Sequence, residues 1–361
     1  MADLVRAQTE AGTEPVVLAP HGPGLKRRDR VGDSAVFRFR YGPARAEVLA
    51  YRGGLTSSVR RPLGAAALAP FLASFGLRAA ALARAERIDV IHAHWWLPGG
   101  LVGVPASWAS GAPLVITCHG SDVELMRRPA LGRLARRVLG RARVVAAVSS
   151  PLARTVQELT GMETRVLRMP LVVPADTPRP DRLTASSPLR LVAVGRLAPE
   201  KGFDVAINAL SRLAAQGVEA SLRIVGDGPD RESLERQARG LAVVFDGPMP
   251  RTQLAEVMAS SHALLVPSRH EGLSLVALEA LALGIPVIAS SVGGLVEVVH
   301  PPEDGILVPA EDPDALAAAI RRLPLPTPTA RAVEAHRPAV VAVEHLAAYE
   351  DAMAGRPAGT R

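Results

Sequence analysis

Residues 269–294 read RHEGLSLVALEALALGIPVIASSVGG, and their punctuation decides the fold. The apolar run HALLVP just before, 262–267, has the length and content of a buried strand. Ser274 is placed to cap a helix, Leu275, Leu278 and Ala282 recur at helical spacing, and Gly284 followed by Pro286 stops it. A second apolar run, 286–289, predicts the next strand, and Gly293-Gly294 opens a further turn. Strand, loop, helix, strand is the repeating unit of an α/β fold. The arrangement aims the N–H groups of Gly272, Leu273 and Ser274 at any anion held before the helix, where the macrodipole adds about half a positive charge. Glu271 stands in that loop and Glu279 inside the helix, both acceptors suited to sugar or ribose hydroxyls. On these residues alone, a loop acid favoured by the dipole and a solvated helix face are the plainer reading.

Working upstream, 189–194 predicts a strand that ends in Gly195-Arg196-Leu197, with Lys201-Gly202 opening the next helix. Arg196 and Lys201 would bring two positive charges to one strand end. A diphosphate needs about that much compensation, and Arg can grip it bidentately; such a site works without a metal or a cofactor. Strands at 221–225 and 243–246 are followed by the turns Gly226-Asp227-Gly228-Pro229 and Gly247-Pro248-Met249. Downstream come a strand at 305–309, a helix at 312–323 and a helical stretch 331–354 broken at Pro338.

The first half alternates in the same way. A helix at 2–11 precedes a strand at 15–20, and 35–40 and 46–51 read as two strands across a turn. Residues 62–84 form an Ala/Leu-rich helix with a break or kink at Pro70. In IDVIHAHWW, 88–96, His92 and His94 share one face of a strand. A zinc site from these and His119 lacks a further donor at ligand spacing. Strand 114–118 ends in His119-Gly120-Ser121-Asp122, and the carboxyl end of a strand in an open α/β sheet is where ligands bind. Asp122 has two open readings, a ligand-side acid or a cap for the next helix. The segment 127–143, from Arg127 through Arg143, carries seven arginines on a helical pattern. It is either a solvated basic face over an apolar stripe of Leu131, Leu134, Val138 and Leu139 or a docking surface for anionic lipid or a phosphorylated acceptor. Residues 174–188 hold four prolines and little apolar content and predict a linker.

Taken together, 361 residues predict two domains: 1–173, a linker 174–188, 189–330, and a closing helix and tail over 331–361. Lys plus Arg number 42 against 35 Asp plus Glu, giving +7, which favours anionic partners. At 3% aromatics, the chain is poor material for stacking nucleic-acid bases, so no nucleic-acid partner is expected. The single cysteine, Cys118, excludes an intrachain disulfide and fits a reducing compartment. The longest uncharged apolar stretch, 62–77, is shorter than the ~20 residues needed to span a bilayer. A cytoplasmic protein is expected, peripheral at the inner membrane face if the arginine segment docks there.

The segment 269–294 resembles the signature of the GT4 family of retaining glycosyltransferases: a Glu, seven residues, a second Glu, a small-residue helix and a G-x-P-V strand, here Glu271, Glu279 and Gly284-Ile285-Pro286-Val287. The resemblance covers about 2–349. It implies the GT-B arrangement, two Rossmann-like α/β/α domains whose parallel sheets face across a cleft. It further implies that Glu271 contacts the donor sugar and Glu279 the ribose, while the backbone from Gly272 to Leu275, with Arg196 and Lys201, holds the diphosphate. The turn at Gly226 would lie by the nucleotide and the backbone near Met249 by the base. His119 would approach the donor sugar, and His94 and Asp122 would lie toward the acceptor. Met169-Pro170-Leu171 stands where the family commonly has Asn-Gly. The opening helix resembles the family's first helix without the strand and glycine turn that precede it, so a mis-placed start is one expectation and a true variant lacking that strand its rival.

The reaction so implied moves a hexosyl unit from a UDP- or GDP-sugar to an acceptor hydroxyl, on a glycan, a lipid-linked carrier or a small molecule, with retention and no metal. Three rivals remain: a nucleotide-sugar epimerase on the same fold, a truncated protein that only binds nucleotide sugar, and a glycosidase. The last needs its two carboxylates to flank the scissile bond about 5–9 Å apart, which Glu271 and Glu279 on one loop–helix unit are ill placed to do.

Overall fold

The structure, a computed structural model, describes residues 1–51, 62–173 and 188–355. The chain divides into one unit of Met1–Pro170 with Pro338–Arg361 and a second of Leu171–Arg337. The proline-rich linker expected at 174–188 lies, but for its last residue, outside the described residues.

The second unit is the more regular. Its strands are β8 (Leu189–Val194), β9 (Ala220–Val225), β10 (Val243–Gly247), β11 (Ala263–Val266), β12 (Val287–Ser290) and β13 (Gly305–Val308). They form one sheet in the order β10-β9-β8-β11-β12-β13, parallel at every pairing. Both faces are dry because alternate residues of each strand go opposite ways. Leu191, Ala193, Leu222, Ile224, Leu265 and Ile288 join Phe203, Ile207 and Leu213 of helix α7 (Phe203–Ala215) and Leu316 of α12 (Pro313–Ile320) in one core. Val192, Val225, Leu264, Val266 and Val287 join Met258 of α9 (Arg251–Ala259), Leu278 of α10 (Leu275–Ala282) and Leu295 of α11 (Leu295–Val298) in the other. Helices on both faces of a parallel sheet make the Rossmann-like layering that the alternation predicts.

In the first unit, helix α1 (Ala2–Glu10) precedes a three-stranded sheet of β1 (Val16–Pro20), β2 (Arg28–Val31) and β3 (Ser34–Phe39), in the order β1-β3-β2. A second sheet runs β4 (Ile91–His94), β5 (Leu114–Cys118), β6 (Val144–Ala147) and β7 (Arg165–Val166), parallel throughout. The sequence reading of the early strands needs correction. The hairpin partner of β3 is the polar, exposed β2, which has no apolar alternation to betray it. The expected strand at 46–51 is absent. Side chains pin that segment instead: Glu47 bonds His21 Nδ1 at 2.7 Å and Arg40 Nε at 3.0 Å, and Tyr41 accepts from the Leu49 N–H at 3.0 Å.

Helix α2 (Pro62–Ala85) also departs from expectation. It continues past Arg78 to 24 residues, long and apolar enough by length and composition to cross a membrane. It continues unbroken through Pro70, where Ala66 and Pro70 are exposed and water can satisfy the carbonyl that proline leaves unpaired. Phe71 nonetheless anchors it to the folded unit, 5.5 Å from Phe39 and 4.9 Å from Tyr41 between ring centroids. At the far end, α13 (Arg331–Glu334) stays with the second unit, while α14 (Pro338–Ala354) belongs to the first, where Glu344 bonds Arg168 at 2.6 Å. The boundary therefore falls at Pro338 and not at the expected 331.

Candidate functional site

β8 has β9 on one side and β11 on the other, so chain direction across the sheet reverses there; ligands of open α/β sheets bind outside the strand ends at such a switch point. The loops leaving β8 and β11 meet at that place. A short turn, Pro199–Lys201, ends in Gly202 at φ +65°, and a side chain there would sit 2.0 Å from the Pro267 carbonyl oxygen. Glycine lets the two loops touch. The result is that Lys201 Nζ donates to Glu271 Oε2 at 2.8 Å, and Ser268 Oγ donates to the same oxygen at 3.1 Å.

Arg269 locks the junction. Its N–H donates to the Glu200 carbonyl at 2.9 Å, and its guanidinium bonds the Pro199 carbonyl at 2.6 Å and both oxygens of Asp204 at 2.9 and 2.8 Å. This fork raises the Arg269 pKa and lowers that of Asp204. In the sequence Arg269 has no motif of its own; its signal is Asp204, 65 residues earlier in the first turn of α7. Behind the loop, Gly293 at φ +48° would place a Cβ 1.8 Å from the Glu271 carbonyl oxygen, and the Gly294 N–H donates to that oxygen at 3.1 Å. Gly293-Gly294 is thus the backing of the Glu271 loop.

Ser274 caps α10, its Oγ accepting from the Ala277 N–H at 3.4 Å. Gly272, Leu273, Ser274 and Leu275 therefore stand at a helix N-terminus beside Lys201 and Glu271. Arg196 leaves β8 on the neighbouring loop, its guanidinium paired with Glu200. Gly226 follows β9 and donates to the Gly247 carbonyl at 2.9 Å, and Met249 follows β10 packed against the apolar core. Glu279 points elsewhere than Glu271: Arg251 Nε donates to its Oε1 at 3.0 Å, and the pair borders a hollow shared with Val173, Leu254 and Met258.

The first unit gathers histidines at the ends of β4 and β5. His94 Nδ1 and His119 Nε2 lie 2.9 Å apart and share one proton. Gln8 Nε2 donates to Tyr349 Oη at 2.7 Å; the same hydroxyl is hydrogen-bonded with His92 Nδ1 at 2.7 Å, and His92 Nε2 with Thr117 Oγ1 at 2.8 Å. Burial holds these rings neutral: His92 and His94 lie well below the usual histidine value and His119 is pulled down to about 4. Asp122 is buried and accepts from the backbone N–H groups of Trp96, His119 and Gly120 at 3.0, 2.9 and 3.0 Å. It organises the His119 loop, reaching backward rather than capping the helix that follows, and its oxygens are engaged there. Beside His119 stands Trp95, unremarked in the sequence reading, at φ +64° with its ring edge-on at 5.7 Å and 46% exposed. A bulky residue in left-handed conformation is held there by its surroundings, a common mark of functional loops.

The family model described as Glycosyltransferase Family 4 matches residues 1–176, and that described as Glycosyl transferases group 1 matches 188–324. A D-inositol 3-phosphate glycosyltransferase of Acidothermus cellulolyticus is 36% identical over 280 residues, 68% of this chain and 62% of the relative; the chain thus spans about six tenths of that protein. A 2-deoxystreptamine glucosyltransferase of Streptomyces kanamyceticus is 30% identical over 355 residues, 89% of this chain and 87% of the relative. The fold is that of the Anabaena protein HepE solved with UDP and glucose, at a TM-score of 0.68 and 19% identity over 97% of this chain and 95% of that one.

Proposed function

This chain belongs to glycosyltransferase family 4, and on that premise we propose that it transfers a hexosyl unit from a nucleotide diphosphate sugar to an acceptor hydroxyl, with retention and without a metal. The observation that carries the proposal is the meeting of Lys201 and Glu271 before the N-terminus of α10. An ammonium, a helix dipole and a run of backbone N–H groups oppose the charge that grows on a departing diphosphate, an electrostatic task fixed in advance by the fold. Arg196 adds a second cation from the same β8 loop that carries Lys201. Glu271, beside them, accepts hydroxyl protons from the sugar, and its bond from Lys201 is the one the donor exchanges for its own contacts. Glu279 accepts from the ribose. UDP as the nucleotide is supported by the HepE structure, which was solved in complex with UDP and glucose.

In the first unit, the neutral His94–His119 pair and the exposed Trp95 ring are the groups for sugar and acceptor hydroxyls and for an apolar ring face. No protein nucleophile is required if the acceptor attacks from the face the diphosphate leaves. Exclusion of water during transfer protects the donor from hydrolysis.

The deciding experiment incubates the protein with UDP- and GDP-hexoses, with and without a panel of polyol acceptors. Transfer only in the presence of an acceptor supports the reading. Isomerised donor without acceptor identifies an epimerase, and a thermal shift with nucleotide but no turnover identifies a binding protein.

A further inference from the structure

We propose that one face of the first unit, formed by α2, α3 (Leu101–Ser110) and α5 (Pro129–Leu139), docks on an anionic lipid bilayer. Three observations on neighbouring elements converge. First, α2 is apolar yet scarcely covered: in its most apolar stretch 11% of residues are buried, and Leu77 is 73% exposed. It lies on the unit, since Arg84 Nε donates to the Ala109 carbonyl of α3 at 2.6 Å and Phe71 enters the aromatic core. Second, α3 presents Trp108 66% exposed, one residue before that contact. Third, Arg141, just past α5, sits over the Trp108 ring at 5.4 Å from its centroid.

α5 turns Ala135, Val138 and Leu139 inward and Arg133, Arg136 and Arg137 outward. From Arg127 to Arg143 there are seven arginines and no acid. A solvated basic helix normally intersperses acids at a spacing of four, as Arg231 and Glu235 do at 2.8 Å in the second unit. Glu124 pairs with Arg127 at the start of the segment, at 3.1 Å; the cationic face that follows, beside an exposed indole and an apolar helix, matches the headgroup layer of an anionic bilayer, with phosphates for the guanidinium groups, an interface for the indole and acyl boundary for α2. The helix lies in the interface plane and does not cross it. This inference is independent of the donor site.

The test is co-sedimentation of the full chain with phosphatidylcholine vesicles and with vesicles that also contain phosphatidylglycerol, at low and high salt. The wild type is expected to sediment with the anionic vesicles alone, to be released by salt, and to shift its tryptophan emission to the blue on binding. Each arginine near the surface contributes about fivefold to partitioning, so neutralising Arg133, Arg136 and Arg137 would cost on the order of a hundredfold and reversing them to Glu should cost more than that. Trp108→Ser should weaken binding and remove the emission shift. Both variants change exposed side chains, and matching thermal melts establish that they remain folded. Absence of sedimentation at low salt, or binding unchanged in both variants, overturns the proposal. A wild-type dimer that Trp108→Ser converts to monomer also overturns it, assigning the face to a second copy.

Discussion

Lys201 Nζ and Glu271 Oε2 lie 2.8 Å apart although 70 residues separate them in the chain. Neither residue is close to the other until β8 and β11 pair, and the pairing is what gives both their chemistry. Lys201→Ala leaves a carboxylate 9% exposed that keeps its bond from Ser268 but loses its counter-charge, a cost of about 1–3 kcal/mol in stability. Turnover should fall further, by about a hundredfold or more, as when one preorganised donor is removed from a charge-stabilising site. Glu271→Ala should do the same. Urea denaturation together with donor-consumption rates checks both, and wild-type rates in the two variants would falsify the assignment.

Gly293→Ala tests the loop from behind. A methyl group 1.8 Å from the Glu271 carbonyl, on a backbone at φ +48°, cannot be accommodated without moving Glu271. The expected result is a loss of at least about 2 kcal/mol in stability and a loss of nucleotide-sugar binding. Titration of UDP by calorimetry, run alongside denaturation, should show both. Unchanged affinity would detach Gly293 from the site.

Arg251 and Glu279 form a separate pair, and their role is read by ribose chemistry. Glu279→Gln should weaken UDP by about tenfold or more, the worth of a charged hydrogen bond, and leave a deoxyribose analogue little changed. Arg251→Met should act in the same direction through Glu279, so the double variant should lose less than the sum of the singles. Additive losses would mean that the two side chains act independently.

Acid should loosen the first unit. Burial pulls His119 down to about 4 from an ordinary 6.5, so between those values the folded chain binds fewer protons than the unfolded one. Stability attached to this group is complete above about pH 6.5 and is lost as pH falls toward about 4. His119 alone should cost about 2 kcal/mol at about pH 5, and the lowered values of His92 and His94 act with the same sign. Urea midpoints across this range should drop for the wild type and drop less for His119→Gln. A flat profile would show that these rings are solvated.

The Glu271–Glu279 segment was legible because its signals are local. A capping serine, a helical apolar stripe, Gly284-x-Pro286 and an apolar strand fix α10 and β12 whatever surrounds them. The arginine helix was legible for the same reason. By contrast β2 is polar and exposed, and the strand expected at 46–51 was a chance apolar run that Glu47, His21 and Arg40 pin by side-chain bonds. Trp95 gave no signal because its conformation is imposed on it by the loop.

The sequence by itself determined which elements form, where the second unit's helix N-terminus lies and which side chains could bind an anion or a sugar, since caps, glycines and periodicity act over a few residues. Only the tertiary structure decided that Lys201 meets Glu271, that Arg269 fastens their loops through Asp204, that Glu279 turns to Arg251 and that Asp122 holds backbone N–H groups. Those choices depend on strand order in the sheet, and strand order is set by burial of both faces at once, a property no single stretch of chain possesses.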